Sequence, residues 1–335
     1  MSVTPYSPDS PRQSSIIAAL VALFICLILL SCLGGCARAE VQASERPRIV
    51  CTVFPQYDWV RQILGDQADA FELTLLTNDA TDLHNYQPSV ADVVKISSCD
   101  LFIYVGGESD GWVGDLLKNT TNKNMAVINL LGLLGDAAKL EETLEGMETF
   151  GESYSEEDYD EHVWLSLNNT RLFCPAIAAA LSDLDPGNAG EYRNNLAAYL
   201  EKLAALDAAY QESADSASEK TLLFGDRFPF RYLMEDYGLT PYAAFTGCSA
   251  ETEASFDTII YLAQKADELQ LKNIIVTESA DQSIAKTIID NTKEKNQKIL
   301  VLDAMQSVTQ DDVQNGTTYF SIMENNLNVL KEAMN

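Results

Sequence analysis

The chain has 335 residues, 47% of them hydrophobic and 21% charged, which is enough for two globular domains of ordinary size. Its 22 basic residues face 50 acidic ones, a net charge of −28, and this excludes a nucleic-acid binder, whose phosphates demand a basic face. So acidic a surface favours solubility and draws cations, without naming one.

Residues 1–36 read as an export signal and not as part of the fold. Ile16–Leu30 is an apolar run, short for a membrane span of ~20 residues and without a basic stop after it. The segment before it carries only Arg12 against Asp9, a weak basic region. The stretch LGGC at Leu33–Cys36 resembles a bacterial lipobox, in which Cys36 is lipidated; LLSC, ending at Cys32, competes with it. An N-terminal anchor helix is the other reading, and both tether the folded part to a membrane with that part facing outward. Residues 37–47, polar and short, are a linker.

From residue 48 onward, strand and helix patterns alternate. RIVCTVF is a buried strand, closed by Pro55; QYDWVRQIL is a helix, with apolar Tyr57, Val60 and Leu64 on one side. FELTLL is a second strand, SVADVVKIS a helix capped by Ser89, DLFIYVGG a third strand and MAVINLL a fourth. Such alternation predicts a parallel sheet covered by helices. An acidic segment, residues 136–161, then interrupts the first lobe (48–184). From Glu141 to Glu161 it has ten acids, no base and few apolar residues, and it reads as a mobile, solvated loop. Residues 185–217 form one long helix, with Tyr192, Leu196, Tyr199, Leu203, Leu206 and Tyr210 as its apolar stripe. The second lobe, 218–335, repeats the pattern: strands TLLFG, TPYAAF, NIIVTE and KILVLDA, with helices between them and a closing helix YFSIMENNLNVLKEAM. Phe256, Ile260, Ala263 and Ala266 set the expected buried stripe of the helix ASFDTIIYLAQKADELQ. The fold class is therefore α/β, two parallel-sheet lobes joined by a rigid backbone helix.

Only two histidines occur, and their settings match. His84 in DLHNY and His162 in DEHVW each follow an acid and precede an aromatic residue. Imidazole is a favoured ligand for first-row divalent metals. His84 would sit after a strand, at the carboxyl edge where open α/β sheets bind ligands. Outside the export segment Cys51, Cys99, Cys174 and Cys248 show no Cys-x-x-Cys spacing, so a zinc site built of thiolates is not expected. Apolar neighbours suggest buried thiols, and a Cys51–Cys99 bridge is open in an oxidising compartment. The chain has no His-Glu-x-x-His, Gly-x-Ser-x-Gly or phosphate-loop motif, which argues against an enzyme. A different class is an adhesin or a binder of a small anionic ligand, for which Arg227 and Arg231 with Phe228, Phe230 and Tyr232 could line a pocket.

The stretches TVFPQYDWVRQILG, DLHNYQPSVADVVKISSCDLFIYVGG, EHVWLSLNN and YLMEDYGL resemble the zinc- and manganese-binding lipoproteins of ABC importers, from about Arg48 to the end. The resemblance implies a metal held between two lobes, with His84 and His162 as ligands and a carboxylate ligand from Asp303 in LVLDAMQSV. Leu83 and Glu161 stand where the family carries prolines before its histidines. The family's third ligand, His or Glu, falls on Arg227, which has no lone pair to give. Asp226 could reach in if the chain bulges by one residue; alternatively water completes the site, or Arg227 pairs with an acid such as Asp303. Glu278 is a reserve oxygen donor. The resemblance further implies Zn2+ or Mn2+ as cargo, an ABC permease as partner, a monomer, and no enzymatic activity. Two nitrogens and one or two oxygens do not decide between the metals; the acidic segment, also found in zinc-binding members, tilts the reading to zinc. Because imidazole must be neutral to bind, metal affinity is expected to fall below pH ~6; a titration flat from about pH 5 to 8 would contradict this.

Overall fold

The structure, a computed structural model, describes residues 46–78, 81–147, 158–248 and 254–335. The export segment with Cys36, and the middle of the acidic segment, lie outside the described residues. Strand β1 (Arg48–Cys51) leads into α1 (Phe54–Leu64), where Pro55 occupies the first turn and its missing N–H costs nothing. Then come β2 (Glu72–Leu75), α2 (Val90–Ser98), β3 (Leu101–Tyr104), α3 (Val113–Lys118), β4 (Ala126–Asn129) and α4 (Leu130–Leu134). Ser89 caps α2 as expected, accepting from Asp92 N in a reciprocal capping box. The four strands are all parallel, in the order β2-β1-β3-β4, with Ile49 opposite both Leu73 and Leu101.

The next helix, α5 (Leu167–Leu184), is absent from the sequence reading, which passed over a segment interrupted by Pro175. Ser166 caps it, and Phe173, Cys174, Ile177 and Leu181 are buried. The long helix α6 (Ala189–Ser216) has 28 residues, ~42 Å at 1.5 Å each. Five of its six predicted stripe residues are buried, all but Leu196, which packs at the core's margin.

The second lobe runs β5 (Thr221–Phe228), α7 (Arg231–Asp236), β6 (Thr240–Thr246), α8 (Phe256–Glu268), β7 (Asn273–Thr277), α9 (Ser283–Asn291), β8 (Lys298–Leu302), α10 (Gln310–Gln314) and α11 (Tyr319–Ala333). Its parallel order, β6-β5-β7-β8, repeats that of the first lobe. The stripe of α8 is rotated from the one expected: Phe256 is 70% exposed, and Ile259, Leu262, Ala263 and Ala266 are buried. Strand β5 shifts register between Phe224 and Arg227. Here Gly225 lets α9 approach, since a Cβ at this position would lie 2.8 Å from Ala285 Cα.

One hydrophobic core runs through both lobes, from Ile49 and Trp59 to Tyr319 and Leu330. Polar ties reinforce it. Tyr319 N donates to Asp58 Oδ2 (2.9 Å), Tyr319 Oη donates to Trp164 O (2.8 Å), and Trp164 Nε1 donates to Ala304 O (3.0 Å). Helix α6 joins in through Asn195 Nδ2, which donates to Ile63 O, and Tyr210 Oη, which donates to Met323 O. Cys51 and Cys99 are both buried free thiols, so the bridge left open above is not formed. Among the described residues no helix is long and apolar enough to cross a membrane.

Asp58 is buried, and desolvation lifts its pKa to about 6 although Gln62 and Tyr319 both donate to it. Folded chains thus hold its proton at a pH where unfolded chains, with a carboxyl pKa of about 3.9, have lost it. Stability from this group therefore rises as pH falls from about 6 to about 4. Asp58→Asn is expected to remove that rise, read as the difference between the urea midpoints of variant and parent across this range.

Candidate metal centre

A parallel sheet delivers the loops after all its strands to one edge, and in both lobes these loops carry the polar residues of the cleft. After β2, Asp82 starts a short 3₁₀ turn, Leu83–Asn85; its carboxylate accepts from His84 N (3.0 Å). After β3, Asp110 Oδ2 accepts from Val105 N and Gly106 N and shapes the loop that presents Ser109. The end of the acidic segment leads into the turn Val163–Leu165, at whose start His162 sits. Asp160, Glu161 and His162 are each no more than 2% exposed, so this end of the segment is core and not the solvated loop expected.

The two histidines meet. His84 Nε2 lies 3.1 Å from His162 Nε2. Each ring is held from behind by oxygen acceptors. His162 Nδ1 lies 2.8 Å from Asp160 Oδ1, while His84 Nδ1 lies 2.9 Å from Ser109 Oγ and 3.3 Å from Glu161 Oε2. A carboxylate behind Nδ1 fixes the tautomer and turns the Nε2 lone pair outward, as in metal-binding imidazoles. Burial alone would lower the His162 pKa, but the Asp160 bond and the charges of Asp160, Glu141 and Glu161 outweigh it and the net shift is upward. With its amide turned, Gln306 donates to Asp82 at 2.8 Å and its oxygen lies 2.9 Å from His162 Nε2, a nitrogen that donates to it when the ring is protonated. Beside the pair opens a cavity of about 380 Å³, lined by His84, Ser109, Glu141, Glu161 and Cys248 among others.

Glu141, from the start of the acidic segment, reaches across to the loop after β6. Its Oε1 accepts from Gly247 N (2.9 Å) and its Oε2 lies 3.7 Å from Cys248 Sγ. Burial and the neighbouring Asp160 push its pKa up. One ring nitrogen of each histidine and the sulfur of Cys248 lie within 4.8 Å of one another. Sequence reading missed this cysteine because it looked for paired thiols, whereas the partners of Cys248 lie 164 and 86 positions earlier in the chain, at 84 and 162. The glycine before it was the available signal, since a small residue lets backbone approach a side chain closely. A Cβ at Gly247 would lie 3.1 Å from His162 Cε1.

The two aspartates do not join this group. A register shift does occur at Gly225–Asp226, but it turns Asp226 to Thr277, whose backbone N–H and hydroxyl both donate to its Oδ2. Asp303 accepts from Met305 N (2.7 Å) and lies with Glu278 and Asp312 in a separate cavity; burial and Glu278 raise its pKa. Glu278 is occupied by Ala304 N and Gln306 N. Arg227 pairs across the cleft with Asp82 (Nη2···Oδ2, 2.8 Å) and not with Asp303. In place of a ligand, that arginine braces the turn bearing His84.

Residues 49–333 match the family described as zinc-uptake complex component A, periplasmic. The zinc-binding lipoprotein AdcA of Streptococcus pneumoniae is 33% identical over 323 residues, covering 96% of this chain, which in turn spans 60% of that relative's length. The high-affinity zinc uptake system protein ZnuA of Bacillus subtilis is 26% identical over 325 residues, 95% of this chain and 97% of its own. The crystal structure of the Zn(II)-bound ZnuA-like domain of S. pneumoniae AdcA superposes with a TM-score of 0.67 at 30% identity, over 86% of this chain and 99% of that one.

Gly107, at φ +83°, clears the space in which Glu161 lies against His84; a Cβ there would fall 2.7 Å from Glu161 Cγ. Gly135, at φ +52°, has nothing within 4 Å and is a matched control for backbone strain. Gly107→Ala is expected to lower divalent-cation affinity about tenfold, measured by calorimetry, and Gly135→Ala to leave it unchanged.

Proposed function

The chain belongs to the zinc-uptake complex component A family, and on that premise we propose that it captures Zn2+ outside the cytoplasm and delivers it to the permease of an ABC importer. In this reading it is a monomer held at the membrane through lipid on Cys36. The observation that carries the proposal is the pair of Nε2 atoms 3.1 Å apart, each ring backed by a carboxylate. Two imidazoles on one tetrahedral zinc, with Zn–N of 2.0–2.1 Å, place their nitrogens ~3.3 Å apart, so the pair is close to its bound spacing. Several carboxylates, including Glu108, Glu141 and Asp158, line the same cavity and favour a cation at its mouth.

Capture, not catalysis, suits these groups, because the acids around the histidines are engaged in orienting them and in holding backbone N–H groups. The reading as a binder of anions gains no support from its two arginines. Arg227 is paired with Asp82, and Arg231 with Glu142 and Glu235.

The purified chain is expected to bind one equivalent of zinc, read by metal analysis after gel filtration. The double variant His84→Ala/His162→Ala should lose it while remaining folded by circular dichroism. Retention of a full equivalent by the double variant would overturn the proposal.

A further inference from the structure

We propose that Cys248 is the third protein ligand, a thiolate that makes the site His2Cys and selects zinc over manganese. The inference rests on the metal-capture reading and goes beyond it in naming the donor and the selectivity.

The geometry supports sulfur. The Nε2 atoms of His84 and His162 lie 3.1 Å apart, and a ring nitrogen of each lies within 4.8 Å of Cys248 Sγ, from three separate loops. Tetrahedral zinc, with Zn–S of 2.3 Å and Zn–N of 2.0–2.1 Å, would set the N···S separation at ~3.6 Å. Cys248 Sγ therefore needs to approach by no more than about 1 Å. The backbone of the loop after β6 is already pressed into the site: a Cβ on Gly247 would lie 2.8 Å from Phe228 O and 3.1 Å from His162 Cε1. Glu141, accepting from the N–H groups of Gly247 and Cys248, holds the loop there.

Elimination points the same way. Arg227 carries no lone pair and braces Asp82, Asp226 serves Thr277, and Asp303 accepts from Met305 N in a different cavity. Among the described residues, the group of these two histidines and Cys248 is the one cluster of three metal-binding side chains whose donor atoms lie this close. On binding, the S–H bond breaks, its electron pair goes to the metal and the proton leaves to solvent; nothing is oxidised or reduced. A thiolate beside two imidazoles suits zinc and disfavours manganese, which prefers oxygen donors. Gln306 stands beside the histidine pair, its amide oxygen 2.9 Å from His162 Nε2.

Cobalt(II) loaded in place of zinc tests the assignment. The parent chain should bind one equivalent and show an intense sulfur-to-cobalt charge-transfer band in the near ultraviolet. Cys248→Ser should still bind cobalt through the histidine pair, without that band. Its zinc affinity should fall at least about tenfold and its preference for zinc over manganese should narrow. One bound cobalt with no charge-transfer band in the parent would overturn the thiolate assignment and leave the histidine pair standing. Failure of the parent to bind cobalt or zinc at all would instead overturn the capture reading and this inference with it.

Discussion

Every part of the cleft depends on one constraint of parallel sheets, that all strands end on the same side. In each lobe the strand order 2-1-3-4 repeats, so both sheets turn one edge of loops toward the cleft. Residues as distant as 84, 162 and 248 then become neighbours without any local motif. The strands fix where the loops leave, and short turns with side-chain caps fix where they point. Asp82 at the turn of His84 and Asp160 at His162 do this with the same device: a carboxylate accepts the histidine's own backbone N–H.

These acids hold the imidazoles in register, and further acidic charge gathers around the pair. Asp160 and Glu161 are nearly fully buried, and Glu141 lies against the same group. Their combined field raises the pKa of His162 against the opposing effect of burial. Such a site is built to receive positive charge. The pairing of Arg227 with Asp82 shows a second use of that principle: the position on which the resemblance placed a ligand holds a brace between lobes, one step removed from the histidine pair.

Much of this was legible in the sequence. The strand patterns, the Ser89 cap and the stripe of the long helix are local signals, and the structure reproduces them. The matching settings of His84 and His162 marked two side chains that the fold brings within 3.1 Å. What was lost is non-local. The proline in Leu167–Leu184 hid a helix whose buried face packs on α1, β4, α4 and α6. Phe256 misled the phase of its helix because an exposed aromatic and a buried one look alike in sequence. Asp226 and Asp303 were credible donors by type and by resemblance, but whether a carboxylate faces a cleft depends on which N–H groups claim it first. Cys248 had no sequence neighbour to announce it.

In the proposed role, the continuous core would set how the metal ion can leave. Trp59 and Tyr319 pack edge to face 5.3 Å apart, and the chain of bonds from Asp58 through Tyr319 to Trp164 ties together segments from both ends of the chain. Prising the halves apart would wet this aromatic seam, at about 25 cal/mol for each Å² of apolar surface exposed. The turn that carries His162 is bound into this seam through Trp164, whereas Gly247 and Cys248 are held by hydrogen bonds to Glu141. In the proposed role the protein would act as a socket with a fixed contact at His162 more than as a jaw, and an acceptor that empties it would have to disengage the loop that carries Cys248.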